Sequence, residues 1–132
     1  MTLEGSSTVR VRYAETDQMG VAWHGEYFAW FEVARTDLLR ERGWPYREME
    51  AQGLRLPVTA IEARFVRPAL YDDLLQVHAR VVHVSGARVR FEYEVRRADA
   101  KGPLATGATE HAAIGVDGRP RRLPPELRRM LA

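Results

Sequence analysis

Between Gly25 and Arg42 the chain reads GEYFAWFEVARTDLLRER, and this segment limits the possible folds more than any other. Tyr27, Trp30 or Phe31, Ala34 and Leu38 recur at the i, i+3/i+4, i+7 spacing of an amphipathic helix. Phe28, Val33 and Leu39 widen the apolar stripe beyond that of an ordinary surface helix. The expectation is a central helix over residues 25–42, enclosed by something broad and curved, such as a sheet. Gly43 and Pro45 supply its stop signals, and residues 46–52 suit one further helical turn.

The remaining segments supply the sheet. TVRVRY, residues 8–13, alternates Val9, Val11 and Tyr13 against Arg10 and Arg12, the pattern of a half-buried strand. Residues 54–66 form a strand pattern interrupted by Pro57, which predicts an edge position or a bulge. LLQVHARVVHV, residues 74–84, follows the turn-like PALYDD. After the Ser85-Gly86 turn, residues 88–96 alternate strictly, with Val89, Phe91, Tyr93 and Val95 inward and Arg88, Arg90, Glu92 and Glu94 outward. Lys101-Gly102-Pro103 turns the chain into a last strand within 104–116, and Pro124-Pro125 opens a short terminal helix. One strand, a long helix and four more strands make an α+β fold with a helix packed on an antiparallel sheet. A single domain over residues 1–132 is expected, without linkers or repeats. Its open sheet edges favour pairing with another copy.

Much chemistry is excluded. Without cysteine there is no thiolate nucleophile, disulfide or Cys-based zinc site. The serines are Ser6, Ser7 and Ser85, and none lies in G-x-S-x-G. Neither phosphate-binding glycine motif occurs. His78 and His83, five apart on a strand, are expected on opposite faces, and H-E-x-x-H is absent, so no metal and no cofactor are expected. His111 is expected to face away from Glu110. The net charge is +2 and the acids are interspersed among the arginines, which argues against nucleic acid. No apolar run approaches the roughly 18–20 residues of a membrane span, and MTLEGSSTVR lacks a signal-peptide core, so a cytoplasmic location is expected.

The stretch YAETDQMGVAWH, residues 13–24, is neither strand nor helix. It places Asp17 and Gly20 in a loop and His24 and Gly25 at the start of the helix. The first N–H groups of a helix lack internal partners and carry partial positive charge, so the backbone around His24 and Gly25 suits a developing oxyanion. A carboxylate beside it could activate water or attack a carbonyl. The same residues also suit a purely structural turn, with Asp17 bonding the local backbone and Gly20 taking positive φ. Glu32 and Arg35, three apart on the helix, suit either a mutual pair or a polar pocket.

YAETDQMGVAWHGEYFAWFEVAR resembles the signature of the 4-hydroxybenzoyl-CoA thioesterase family of hotdog-fold acyl-CoA thioesterases. Tyr13, Thr16-Asp17, Gly20-Val21, His24, Tyr27, Glu32 and Ala34-Arg35 carry the likeness, and RPALYDDLLQV, residues 67–77, extends it. The resemblance implies a sheet wrapped around the central helix, a homodimer or homotetramer, and hydrolysis of acyl-CoA without a cofactor. It places the catalytic carboxylate on Asp17, accompanied by Tyr13 and His24, with the helix-start oxyanion donor at His24. Trp23 departs from the family pattern, which bears on acyl preference. Family members bind CoA phosphates with basic residues at the dimer surface, for which Arg88 and Arg90 are the candidates. Thr59 is a candidate to line the acyl pocket from the partner subunit. A hydratase of acyl thioesters and a non-catalytic acyl-CoA-binding protein are the competing readings.

Overall fold

A computed structural model describes residues 3–132. Strand β1 (Glu4–Arg10) leads through a short 3-10 turn, Tyr13–Glu15, to helix α1 (Glu26–Glu41) and helix α2 (Tyr46–Ala51). Strands β2 (Val58–Phe65), β3 (Leu74–Val84), β4 (Arg88–Arg97) and β5 (Ala105–Ala112) follow, and helix α3 (Pro125–Leu131) ends the described chain. The five strands form one sheet in the order β1-β3-β4-β5-β2, antiparallel at every pairing. This is the α+β hotdog fold, with α1 lying on the inner face of the sheet.

The alternation in β4 drives the packing as its sequence predicts. Val89, Phe91, Tyr93 and Val95 are buried, and they meet Val77, Ala79 and Val81 of β3 across the ladder. From α1, Tyr27, Trp30, Phe31, Ala34, Leu38 and Leu39 complete this core. Each large side chain fully buried here contributes about 1.5–3 kcal/mol. Phe31 stacks on Tyr93 with ring centroids 4.4 Å apart and planes 5° from parallel. The stack needs Gly107 on the neighbouring strand, where a Cβ would lie 2.5 Å from the Phe31 ring and 2.7 Å from the Glu62 carbonyl oxygen.

Three features depart from the sequence reading. The first strand starts and ends earlier than 8–13, and Tyr13 sits in the 3-10 turn, 78% exposed. The stripe of α1 is narrower than expected, because Val33 is exposed and Phe28 is only half-buried. A register shift between Val81 and His83 turns His83 outward, opposite Arg90, so it shares the outer face with His78. The irregularity expected near Pro57 is present as a shift between Val58 and Ala60. Strand β2 lies at the sheet edge, and its Val58, Ile61 and Phe65 are exposed.

Candidate active site

The loop between β1 and α1 is fastened from beneath by Glu15, a residue that nothing in the sequence pattern singled out. Glu15 is 5% exposed. Its Oε1 accepts the Arg12 backbone N–H at 2.7 Å, and its Oε2 accepts the Trp30 indole N–H at 3.2 Å and an Arg12 guanidinium N–H at 3.5 Å. Its carbonyl accepts the Trp23 N–H at 2.8 Å. One carboxylate thus ties the end of β1, the loop and the buried face of α1 together.

From that anchor the loop makes a tight reversal. Asp17 N–H donates to the Val21 carbonyl at 2.9 Å, and Gly20 N–H donates to the Asp17 carbonyl at 3.0 Å. Gly20 takes φ +81°, a conformation that costs glycine little. Asp17 Oδ1 accepts the Met19 N–H at 2.9 Å. The structural reading of this turn is therefore present in the molecule. It engages only one carboxylate oxygen, and Oδ2 has no protein partner among the described residues.

The chain then enters α1 through a turn of i to i−3 bonds. Glu26 N–H donates to Trp23 O, Tyr27 N–H to His24 O and Phe28 N–H to Gly25 O, at 3.0, 3.3 and 3.3 Å. Among the described residues the N–H groups of His24 and Gly25 find no backbone acceptor. Gly25 is the cap residue, and a Cβ there would sit 2.2 Å from the Trp23 ring. Glycine at 25 is thus what lets Trp23 fold back over the helix start.

Asp17 and His24 line one open groove of about 300 Å³, together with Met19, Tyr27, Phe65 and Arg67. Tyr27 is held from below, its hydroxyl accepting the Ala69 N–H at 3.3 Å, and its ring meets Phe65 edge-on at 5.0 Å. Burial pushes the Tyr27 phenol above its ordinary range, so it remains a neutral wall. Arg67 supplies a basic group at the groove itself, and the sequence reading gave it no role.

The other expected site residues lie elsewhere. The Tyr13 ring packs edge-on against Tyr71 at 5.6 Å and is not part of the groove lining. Thr59, on β2, donates its hydroxyl to the Glu110 carbonyl at 3.2 Å. Arg88 is exposed at the start of β4. Arg90 is ringed by Glu62, Glu92 and Glu110 at 3.0, 3.7 and 3.2 Å.

A second cavity, of about 200 Å³, lies between α1, α2 and the far ends of β2 and β5. Glu32, Arg35 and Tyr46 line it with Val58, Phe91 and His111. No ion pair joins Glu32 to Arg35 among the described residues, so of the two readings offered by their spacing the polar pocket is the one formed. Beneath the cavity, His111 Nδ1 lies 2.9 Å from the Leu56 carbonyl and must donate to it. Burial lowers the His111 pKa to about 4, so the ring carries a single proton and Nε2 accepts from the Thr109 hydroxyl at 2.9 Å. Thr109 in turn accepts from the Tyr93 hydroxyl at 2.5 Å. Burial raises the Tyr93 pKa, and the neighbouring Arg35 charge and hydrogen bond oppose that rise. Among the described residues no group of His, Asp and Glu is placed to hold a metal ion, and no helix is long and apolar enough to cross a membrane.

Comparisons with known proteins agree with this architecture. The chain is 37% identical over 87 residues to the putative acyl-CoA thioesterase YneP of Bacillus subtilis, a match covering 66% of this chain and 63% of that protein. It is 30% identical to the acyl-CoA thioester hydrolase YbgC of Escherichia coli O157:H7, over 88% of this chain and 87% of that one. The crystal structure of a DHNA-CoA thioesterase from Staphylococcus aureus superposes with a TM-score of 0.87 at 36% identity, covering 91% of this chain and 80% of that chain. Residues 11–131 match the family model described as the Thioesterase-like superfamily, and the chain belongs to that family.

Proposed function

We propose that this protein hydrolyses acyl-CoA thioesters, with Asp17 as base or nucleophile and the N–H groups of His24 and Gly25 as oxyanion donors. One observation carries the reading: Asp17, half-buried and with one carboxylate oxygen unpartnered among the described residues, shares a groove with His24, whose N–H at the helix start has no backbone acceptor among those residues. The names of the YneP, YbgC and DHNA-CoA relatives support a CoA thioester as the substrate.

With Asp17 as base, water bonds to the thioester carbon and passes a proton to Asp17 Oδ2. The carbonyl oxygen becomes an oxyanion between the His24 and Gly25 N–H groups, where fixed donors stabilise developing charge. Collapse breaks the C–S bond, and the proton on Asp17 goes to the departing sulfur, giving free acid and CoA thiol. With Asp17 as nucleophile, its oxygen bonds the same carbon, the C–S bond breaks and CoA leaves as a thiolate that takes a proton from solvent; water then cleaves the anhydride, giving the free acid and returning the Asp17 carboxylate. A single turnover in isotopically labelled water tests for the anhydride route, since label in the Asp17 carboxyl group arises only when water cleaves such an anhydride at the aspartyl carbon.

The working unit in this reading is a homodimer joined through β2. That edge strand has no neighbour on its outer side among the described residues, and its exposed Val58, Ile61 and Phe65 are apolar. The groove lies at its Phe65 end and the second cavity at its Val58 end. At about 3.3 Å per residue these ends are roughly 23 Å apart within one chain. Two-fold antiparallel pairing of β2 with its copy brings the Phe65 end of one subunit to the Val58 end of the other. Thr59 then lies beside the partner's groove. Arg67 and Arg88 offer their charges to the CoA phosphates, and Arg90 does so only by exchanging one of its carboxylate partners.

The test is a hydrolysis screen over short, long and aromatic acyl-CoA esters, with sedimentation to fix the oligomer. Turnover by a dimer is expected. Tight acyl-CoA binding without turnover would favour the non-catalytic reading, and an active monomer at micromolar concentration would remove the β2 pairing.

A further inference from the structure

The cavity at the Val58 end contains a charge that the fold does not neutralise. Arg35 is half-buried on α1 and has no carboxylate within 4.0 Å among the described residues. Burying a cation without a counter-charge is costly, so such an arginine ordinarily has a protein partner or meets a ligand. Its neighbours cannot serve as that partner. Tyr93 donates to Thr109, Thr109 to His111, and His111 to the Leu56 carbonyl. Every donor in this chain points away from Arg35, and the chain ends on a neutral acceptor. The Tyr46 hydroxyl is likewise occupied, accepting the Leu56 N–H at 3.0 Å. Glu32, three positions earlier on the same helix, also lines the cavity, but it is exposed and its carboxylate lies more than 4.0 Å from the guanidinium. The guanidinium has five N–H donors in a planar fork suited to a carboxylate, and the Tyr93 hydroxyl takes only part of that capacity.

The apolar part of the cavity explains what would bring a carboxylate there. Leu39, Leu56, Pro57, Val58 and Phe91 surround the space, so a short methylene chain or a ring can fill it and deliver a polar end to Arg35. We propose that this cavity receives the far end of the acyl group and selects acyl groups ending in a carboxylate, with Arg35 as the specificity-determining residue. The inference rests on the thioesterase reading and on the β2 pairing, because the thioester end must lie in the partner's groove.

The experiment compares CoA monoesters of dicarboxylic acids, four to eight carbons long, with CoA esters of monocarboxylic acids of equal length. Wild-type protein is expected to favour the carboxylate-ended member of the best pair by about 10–100-fold in kcat/KM, the range of a charge-assisted hydrogen-bonded pair. In Arg35→Met that ratio falls to near parity or inverts, and in Arg35→Lys part of it returns. Circular dichroism establishes that each variant is folded. Equal rates in the wild type, or a ratio unchanged in Arg35→Met, would overturn the proposal. Calorimetric binding of the matching non-hydrolysable thioether analogues is the second readout. If no ester is turned over but the analogues show the same Arg35-dependent ratio, the thioesterase reading fails and the pocket stands; if esters are turned over without the ratio, the pocket fails and the thioesterase reading stands.

Discussion

The two ends of α1 solve opposite problems. At its start, polar groups are left uncommitted: among the described residues one oxygen of Asp17 and the N–H groups of His24 and Gly25 have no hydrogen-bond partner, and Asp17 and His24 line an open groove. Beyond its middle, the polar groups are almost fully committed, in a buried relay through Tyr93, Thr109 and His111 that ends on a backbone carbonyl. The first arrangement leaves donors and an acceptor free to meet a reacting atom, as the proposed function requires. The second can only hold shape, apart from Arg35 at its head. In the proposed reading, reactivity and rigidity fall to different ends of one helix, and the difference lies in which hydrogen bonds are left open.

The sharpest way to break this contrast is Asp17→Asn. The substitution keeps size and the turn bond to Met19, and removes the charge. A loss of about 10²–10⁴ in kcat is expected, the usual cost of removing a general base, with the thermal midpoint little changed. Near wild-type turnover in a folded variant would move the chemistry to another group.

The relay end should show its character in stability rather than rate. His111 is neutral in the fold and its pKa is lowered to about 4 from 6.5. Above pH 6.5 neither the folded nor the unfolded state protonates it, and it contributes no pH dependence. As pH falls from about 6.5 to about 4, the unfolded chain takes up the proton first and the fold loses about 3 kcal/mol. Urea titrations of wild type and His111→Gln across this window should show a stability difference that shifts against the wild type as pH falls. A difference independent of pH would mean that the imidazole reaches solvent.

Glu15 tests whether the reactive end has a rigid support of its own. In Glu15→Gln one carboxylate oxygen becomes an NH₂ group, which must oppose either the Arg12 N–H or the Trp30 indole N–H. About 1–3 kcal/mol of stability should be lost. Activity should fall with it, because the loop bearing Asp17 is tied to α1 through that carboxylate. A stable variant with slowed turnover would sharpen the comparison, by separating the support of the loop from the support of the core.

The smallest effects are expected from the arginines. Arg67→Ala, at the groove, should raise KM for acyl-CoA several-fold and change kcat less, as for a contact made equally in ground and transition states. Arg88→Ala with Arg90→Ala should change KM less than Arg67→Ala does, since Arg90 already has three carboxylate neighbours. KM values measured across a range of salt would rank the three.

What was legible in the sequence follows from how local each signal is. The helix expected over 25–42 is observed as Glu26–Glu41, because apolar spacing and stop residues act within a few turns. The β4 pattern is observed inward and outward as expected, for the same reason. Asp17, Gly20 and His24 stand within eight positions of one another, so their loop could be recognised before it was seen. The relay could not, since Tyr93, Thr109 and His111 meet only through the register of β4 with β5, and Arg35 reaches them only when α1 docks on the sheet. Glu15 was missed because its bond to the Arg12 backbone N–H has no distinctive residue pattern, and its other buried partner, the Trp30 indole, is fifteen residues away and aligned only when α1 docks. The outward turn of His83 depends on a register shift, and no residue type in LLQVHARVVHV marks where that shift falls.

Gly107 has a role larger than one close contact. Because the ring of Phe31 rests directly on the β5 backbone there, the glycine sets the height at which α1 rides above the sheet. The N–H groups at His24 and the guanidinium at Arg35 are carried on that same helix, on either side of Phe31. A methyl group at position 107 would act as a shim under a beam: it would raise both ends in step. The missing side chain on the sheet therefore keeps the His24 and Arg35 positions in calibration with each other.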